Sequence, residues 1–288
     1  MAGIGFELRK LFKEEGIVQN LKAYGYSSFT TIGPMILCIA LVFIQQNMIT
    51  KNGGKPFDNE LFISTMTYCF IFSILVTSGL AMVLTRFIAD SIYERKLKNI
   101  ISSFYGALII ILPFAGMIAG VFLYGVSAGL AFKIAAYLFF IELVIIWVQG
   151  IYLSALKDYK RIVRSFTIAI LTSMAISYLL FTLTEINLTT IALIGMDVGF
   201  AIFVGMTMYH FEQVFPRDEE NSYFSFLRYF QKLPSVFLSG IFLYASVYVH
   251  NMIYWFFSGN HLLVADRFRL MPFYDLPVFY AFLTVVPS

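Results

Sequence analysis

Charge is scarce in this sequence. Only 13% of its 288 residues are Asp, Glu, Lys or Arg, about half the ~25% usual in soluble domains. The chain is 59% hydrophobic, and its apolar residues gather in long uninterrupted runs. That excludes a large soluble core and points to a helical protein that crosses a membrane several times. Cysteine is nearly absent: Cys38 and Cys69 both fall inside apolar runs. This excludes a disulfide framework and a CxxC metal site, and both read as small buried hydrophobes. The three histidines, His210, His250 and His261, do not supply a ligand set for a metal, even with Glu212 beside His210. Gly53-Gly54-Lys55 lacks the glycine spacing and the following Ser or Thr of a phosphate loop, so ATP hydrolysis is excluded. The first apolar run is too long for a cleavable signal peptide, and no small-residue cleavage site follows it. No catalytic constellation is visible. The chain reads as a non-enzyme without cofactor, and no nucleic-acid partner is expected.

What is present is a succession of spans. Residues 24–48 carry no charge and exceed the ~20 helical residues that cross a ~30 Å hydrocarbon core. A basic segment with Arg9, Lys10, Lys13 and Lys22 precedes it, an order that predicts a cytoplasmic N-terminus. Residues 4–21 predict an amphipathic helix on the inner surface, with Ile4, Leu8, Leu11 and Phe12 on one face. Six further spans are predicted at about residues 61–88, 100–124, 131–156, 165–183, 189–215 and 234–257. A last apolar run, residues 276–288, is too short to cross and reads as a truncated eighth span of a longer protein. Fifteen of the 20 Lys and Arg fall in the predicted inner segments, a threefold bias that supports the orientation. The fold class is therefore all-α, a polytopic transmembrane bundle of seven spans plus a truncated eighth in the cytoplasmic membrane.

Within this bundle a few residues stand out. Gly33-Pro34 lies in the first span after Ser27, Ser28, Thr30 and Thr31. Proline removes a backbone hydrogen bond, so the helix kinks there, as a hinge or as a kink held by neighbouring helices. Glu142 and Asp197 lie deep in the fourth and sixth spans. A carboxylate at mid-bilayer costs ~2.5–3.5 kcal/mol and therefore faces the bundle interior or a watery cavity. Gln149, two turns beyond Glu142, shares its face. The three are candidates for a translocation path or coupling site, or for hydrogen-bonded struts between helices. Arg86 and Asp90, four apart at the inner end of the second span, can pair as a cytoplasmic gate or as an interfacial salt bridge.

Several stretches carry a family resemblance. They are Met1-Ala-Gly-Ile-Gly-Phe-Glu-Leu-Arg-Lys10, Gly33-Pro34, Thr85-Arg-Phe-Ile-Ala-Asp90, Leu153-Ser-Ala-Leu-Lys-Asp-Tyr159 and Tyr274-Asp-Leu-Pro277. The chain resembles the PelG family, transporters of the Pel exopolysaccharide system, within the polysaccharide flippases of the multidrug/oligosaccharidyl-lipid/polysaccharide exporter superfamily. The resemblance covers the whole chain and about two thirds of a typical member. Met35 stands where the family pattern has Trp, a departure that argues against an aromatic sugar contact at that position. The resemblance implies twelve helices in two six-helix lobes. Residues 1–215 would form the first lobe with its N-terminal helix, 216–233 a cytoplasmic connector, and 234–288 the start of the second lobe. A weak internal parallel agrees: the basic, amphipathic residues 224–232 echo the N-terminal helix, and Gly240 echoes Gly33.

The resemblance implies export of Pel-type polymer for a biofilm matrix. Lipid, polysaccharide, a cytoplasmic glycosyltransferase and other secretion components would be the partners. Two alternatives stay open on physical grounds: a cation-coupled multidrug or lipid-linked oligosaccharide exporter of the same fold, and a non-transporting scaffold that docks a glycosyltransferase.

Overall fold

A computed structural model describes residues 36–156, 159–215 and 223–285, of which 155, 156, 159, 160 and 282–285 are described by their backbone alone. The amphipathic N-terminal segment, the Gly33-Pro34 kink and residues 216–222 lie outside the described residues. The described elements are α1 (Ile36–Lys51), α2 (Pro56–Tyr93), α3 (Lys98–Tyr124), α4 (Leu130–Leu156), α5 (Tyr159–Leu183) and α6 (Leu188–Val214). A 3-10 turn, Ser225–Leu227, and the short α7 (Arg228–Lys232) lead into α8 (Pro234–Phe257). A hairpin of β1 (Leu262–Val264) and β2 (Phe268–Leu270) then precedes α9 (Pro272–Val285). Among the described residues six helices, α2 to α6 and α8, are long and apolar enough to cross a membrane. The molecule is an all-α polytopic bundle. The described part of the first predicted span, α1, is short of a crossing.

Helix ends differ from the predicted span ends because hydropathy marks the edge of the lipid, not the end of the hydrogen-bonded helix. α2 has 38 residues instead of 28. It starts at Pro56, the first helical position, where the Lys55 amide donates to Asp58 Oδ2 at 2.8 Å. Its end at Glu94 is followed by Arg95 in the left-handed region at φ 59°. The predicted basic loop 157–164 is helical from Tyr159 on: with no Pro or Gly to break it, α5 runs beyond its apolar stretch. α6 is capped by Asn187, whose side chain accepts from the amides of Thr189 and Thr190.

Lipid tails are as apolar as leucine, so helices in a bilayer associate through close packing and hydrogen bonds. Two close approaches organise this bundle. α5 and α6 form its most extensively packed pair. Gly195 and Gly199 of α6 admit Ser177, Ser173 and the Ala169 carbonyl of α5; a Cβ at Gly199 would lie 2.6 Å from that carbonyl oxygen. α2 and α8 cross where Gly79 meets Phe237 and Gly240 meets the Ser78 carbonyl, at 2.5 Å from a Cβ built on either glycine. α4 packs against both α2 and α6, so α2, α4 and α6 meet in the middle. Aromatic edge-to-face pairs fill the core, among them Phe104 with Tyr152 and Phe211, and Phe139 with Phe200.

The predicted outer loop 258–275 proved to be structured. β1 and β2 pair antiparallel with Leu263 opposite Arg269. Ala265 and Asp266 in the connecting turn both have positive φ, 47° and 62°, the conformation that reverses a tight hairpin. The first turn of α9 already includes Asp275.

Candidate functional site

The structure places Glu142 on α4 and Asp197 on α6 within electrostatic reach of each other, with Cys69 of α2 also close to Asp197. Both carboxyl groups thus lie toward the region where α2, α4 and α6 converge. The reason Asp197 points there is written in its own helix: Gly195 and Gly199, two positions either side, face α5, which turns Asp197 to the opposite side. Asp197 is 8% exposed. Its Oδ1 and the Glu142 Oε2 are buried without a hydrogen-bond partner among the described residues.

Gln149 is fully buried on α4, but it does not pair with Glu142. Its amide donates to the Val204 carbonyl of α6 at 3.1 Å. Two turns of separation put Gln149 on Glu142's face but about 10 Å further along the axis, beyond hydrogen-bond reach. Its Oε1 is a further buried acceptor without a partner among the described residues. Gln149 thus ties α4 to α6 through a bond of its own, apart from Glu142. A second buried amide went unnoticed in the sequence. Gln45 of α1, 0% exposed, donates to Ser177 Oγ of α5 at 2.6 Å.

Arg86 and Asp90 form the i,i+4 pair anticipated for them, with Nη2 3.2 Å from Oδ1 and Nε 3.2 Å from Oδ2. Arg86 is largely exposed, so the pair alone contributes little stability. Its third member comes from α7: the Tyr229 hydroxyl donates to Asp90 Oδ2 at 3.0 Å, and its ring lies edge-on to Phe87. Partial burial and that bond to the carboxylate raise the Tyr229 phenol above its usual value, so it stays a donor. At the same predicted inner end the Tyr105 hydroxyl donates to Glu212 at 2.6 Å, and Arg161 meets His210 and Gln213. Among the described residues no group of three or more His, Cys, Asp or Glu could hold a metal ion.

The largest polar construction was not recognised as such in the sequence. Asp275 accepts from Asn251 Nδ2 at 2.9 Å, from Trp255 Nε1 at 3.0 Å and from the Met271 amide at 2.8 Å. Trp255, 0% exposed, stacks on Tyr68 of α2 with ring centroids 5.0 Å apart. The Tyr68 hydroxyl donates to the Arg269 carbonyl at 3.0 Å and accepts from the Arg269 amide at 2.9 Å. A side chain thereby takes the place of a third strand on the open edge of the hairpin. At the hairpin tip the Asp266 carboxylate accepts from Ser127 Oγ, and the Ser127 amide donates to the Ala265 carbonyl at 3.1 Å. The quoted stretch Tyr274-Asp275-Leu276-Pro277 was the available signal, since it sets a carboxylate in the first turn of an apolar helix.

A bundle of apolar spans with carboxyl and amide groups buried between them is that of a multi-pass membrane protein. The chain belongs to the PelG family, whose model, described as "Putative exopolysaccharide Exporter (EPS-E)", matches residues 1–288. No curated protein and no solved structure matches the chain.

Proposed function

We infer that the protein exports a Pel-type polysaccharide across the cytoplasmic membrane, with its N-terminus inside, as one component of a secretion complex that includes the polymer's glycosyltransferase. The observation that carries this reading is the family match over the full chain. The interior supports it. Residues 1–215 and 234–288 act as parts of two lobes, and the α2–α8 crossing at Gly79 and Gly240 is their contact. The Glu142–Asp197 cluster supplies hydrogen-bond acceptors for sugar hydroxyls, and Arg86, Asp90 and Tyr229 form a tie between α2 and the connector that opens on the cytoplasmic side. In the deletion strain, the full-length gene should restore polymer outside the cell. Normal polymer export in the deletion strain itself would overturn this role.

One observation favours a second reading. Two carboxyl groups in mutual electrostatic reach at membrane depth are also the make-up of a proton- or cation-coupled exporter. A polymer driven by its own synthesis needs no such coupling. Export that persists when the membrane proton gradient is collapsed but the nucleotide-sugar supply is maintained favours the first reading; prompt loss favours the second.

A further inference from the structure

Between α2, α3 and α4, beside the hairpin, lies a cavity of about 110 Å³. Thr65, Cys69 and Phe72 of α2 wall it together with Ala119 of α3 and Phe140 of α4, and Phe268 of β2 covers it. Its size approaches that of the ~150 Å³ apolar cavities that stay dry and take up a hydrocarbon guest. The few polar atoms on its wall are already engaged. Thr65 Oγ1 donates to the Leu61 carbonyl at 2.7 Å, Cys69 Sγ reaches the Ala136 carbonyl at 3.8 Å, and the Tyr68 hydroxyl is held by Arg269. A water would lack the two to four partners it needs, and a sugar would leave its hydroxyls unpaired. Only an apolar guest fits.

The route to the cavity narrows the choice of guest. Ile118 and Phe122 of α3 are half-buried on the cavity wall. On the adjoining face of α3, Phe114, Met117 and Val121 are 55%, 68% and 71% exposed. α3 is a membrane span, so this face meets hydrocarbon chains, and the nearest supply of apolar guest is the bilayer itself. We propose that the cavity binds the last few carbons of an acyl chain of a membrane phospholipid, which enters beside α3, and that Phe268 is its lid. Tyr68 both lines the cavity and stacks on Trp255. Occupancy of the cavity therefore supports the same ring that anchors the hairpin.

Trp147 and Trp255 are the two tryptophans of the chain, which makes the test direct. The full chain carrying Trp147→Phe is purified, stripped of lipid in detergent, and titrated with phosphatidylcholine brominated on one acyl chain. Bromine quenches tryptophan only at short range, so a chain in the cavity should give saturable quenching of Trp255. Ala119→Phe and Ala136→Leu, which fill the space, should lower that quenching several fold. Phe268→Leu, which thins the lid, should shift saturation to lower lipid concentration, and it keeps the test open should the filled variants not fold. No saturable quenching in the parent overturns the proposal. So does quenching that neither the filled variants nor Phe268→Leu alter, which is the pattern of lipid packed on the outer surface only.

Discussion

A carboxyl group between apolar helices persists only if protons, neighbours or water compensate the loss of hydration. Glu142 and Asp197 compound the cost by lying near each other. If Glu142 acts as a neutral acceptor, its amide analogue keeps shape and hydrogen bonding, so Glu142→Gln should retain most polymer export. Glu142→Ala leaves a void and should lose several fold, measured as extracellular polymer at matched membrane expression. Abolition by both changes would instead indicate a group that must cycle between charged and neutral forms. Asp275 calls for a different measurement. Asp275→Ala leaves the Asn251, Trp255 and Met271 donors unpaired, at about 1–3 kcal/mol for each buried donor so stranded. Its thermal transition in detergent should fall well below that of the parent. All three carboxylates were visible in the sequence, but only the first two were singled out. Glu142 and Asp197 stand out because an acid inside an apolar run is costly wherever it points. Asp275 lies at the border of a run, where an acid is unremarkable, and its three donors come from residues 4 to 24 positions away.

At the scale of elements, helix spacing rests on a few glycines. Gly199 and Gly240 each touch a carbonyl of the neighbouring helix, whereas Gly150 of α4 has open space around it. Gly240→Val should cost about 1–3 kcal/mol through overpacking and separate α8 from α2. Gly150→Ala should be neutral or stabilising by up to about 1 kcal/mol, because alanine is the better helix former. The apparent melting temperature should fall for Gly240→Val and stay level or rise for Gly150→Ala. The spans themselves were legible because a bilayer imposes length and apolarity on every crossing. The helix ends were not, since α2 and α5 continue past the apolar stretch. The hairpin was not legible either. Its strands have three residues each, and the turn uses Ala265 and Asp266 at positive φ instead of the glycine or asparagine that would advertise it.

For the whole molecule, orientation is the first thing to test. A single cysteine at position 160 should resist a membrane-impermeant maleimide in intact cells, and one at position 55 should react. The reverse pattern would invert every inner and outer assignment. The hairpin adds a consequence in time. Tyr68 and Arg269 are separated by 201 residues, and ribosomes add about 5–20 residues per second. For some 10–40 s at that rate, a newly made α2 holds a phenol with no Arg269 backbone to meet it, and the floor on which Trp255 will stack stands open. The first half of the chain is thus completed by a segment made long after it, so assembly of the bundle finishes late.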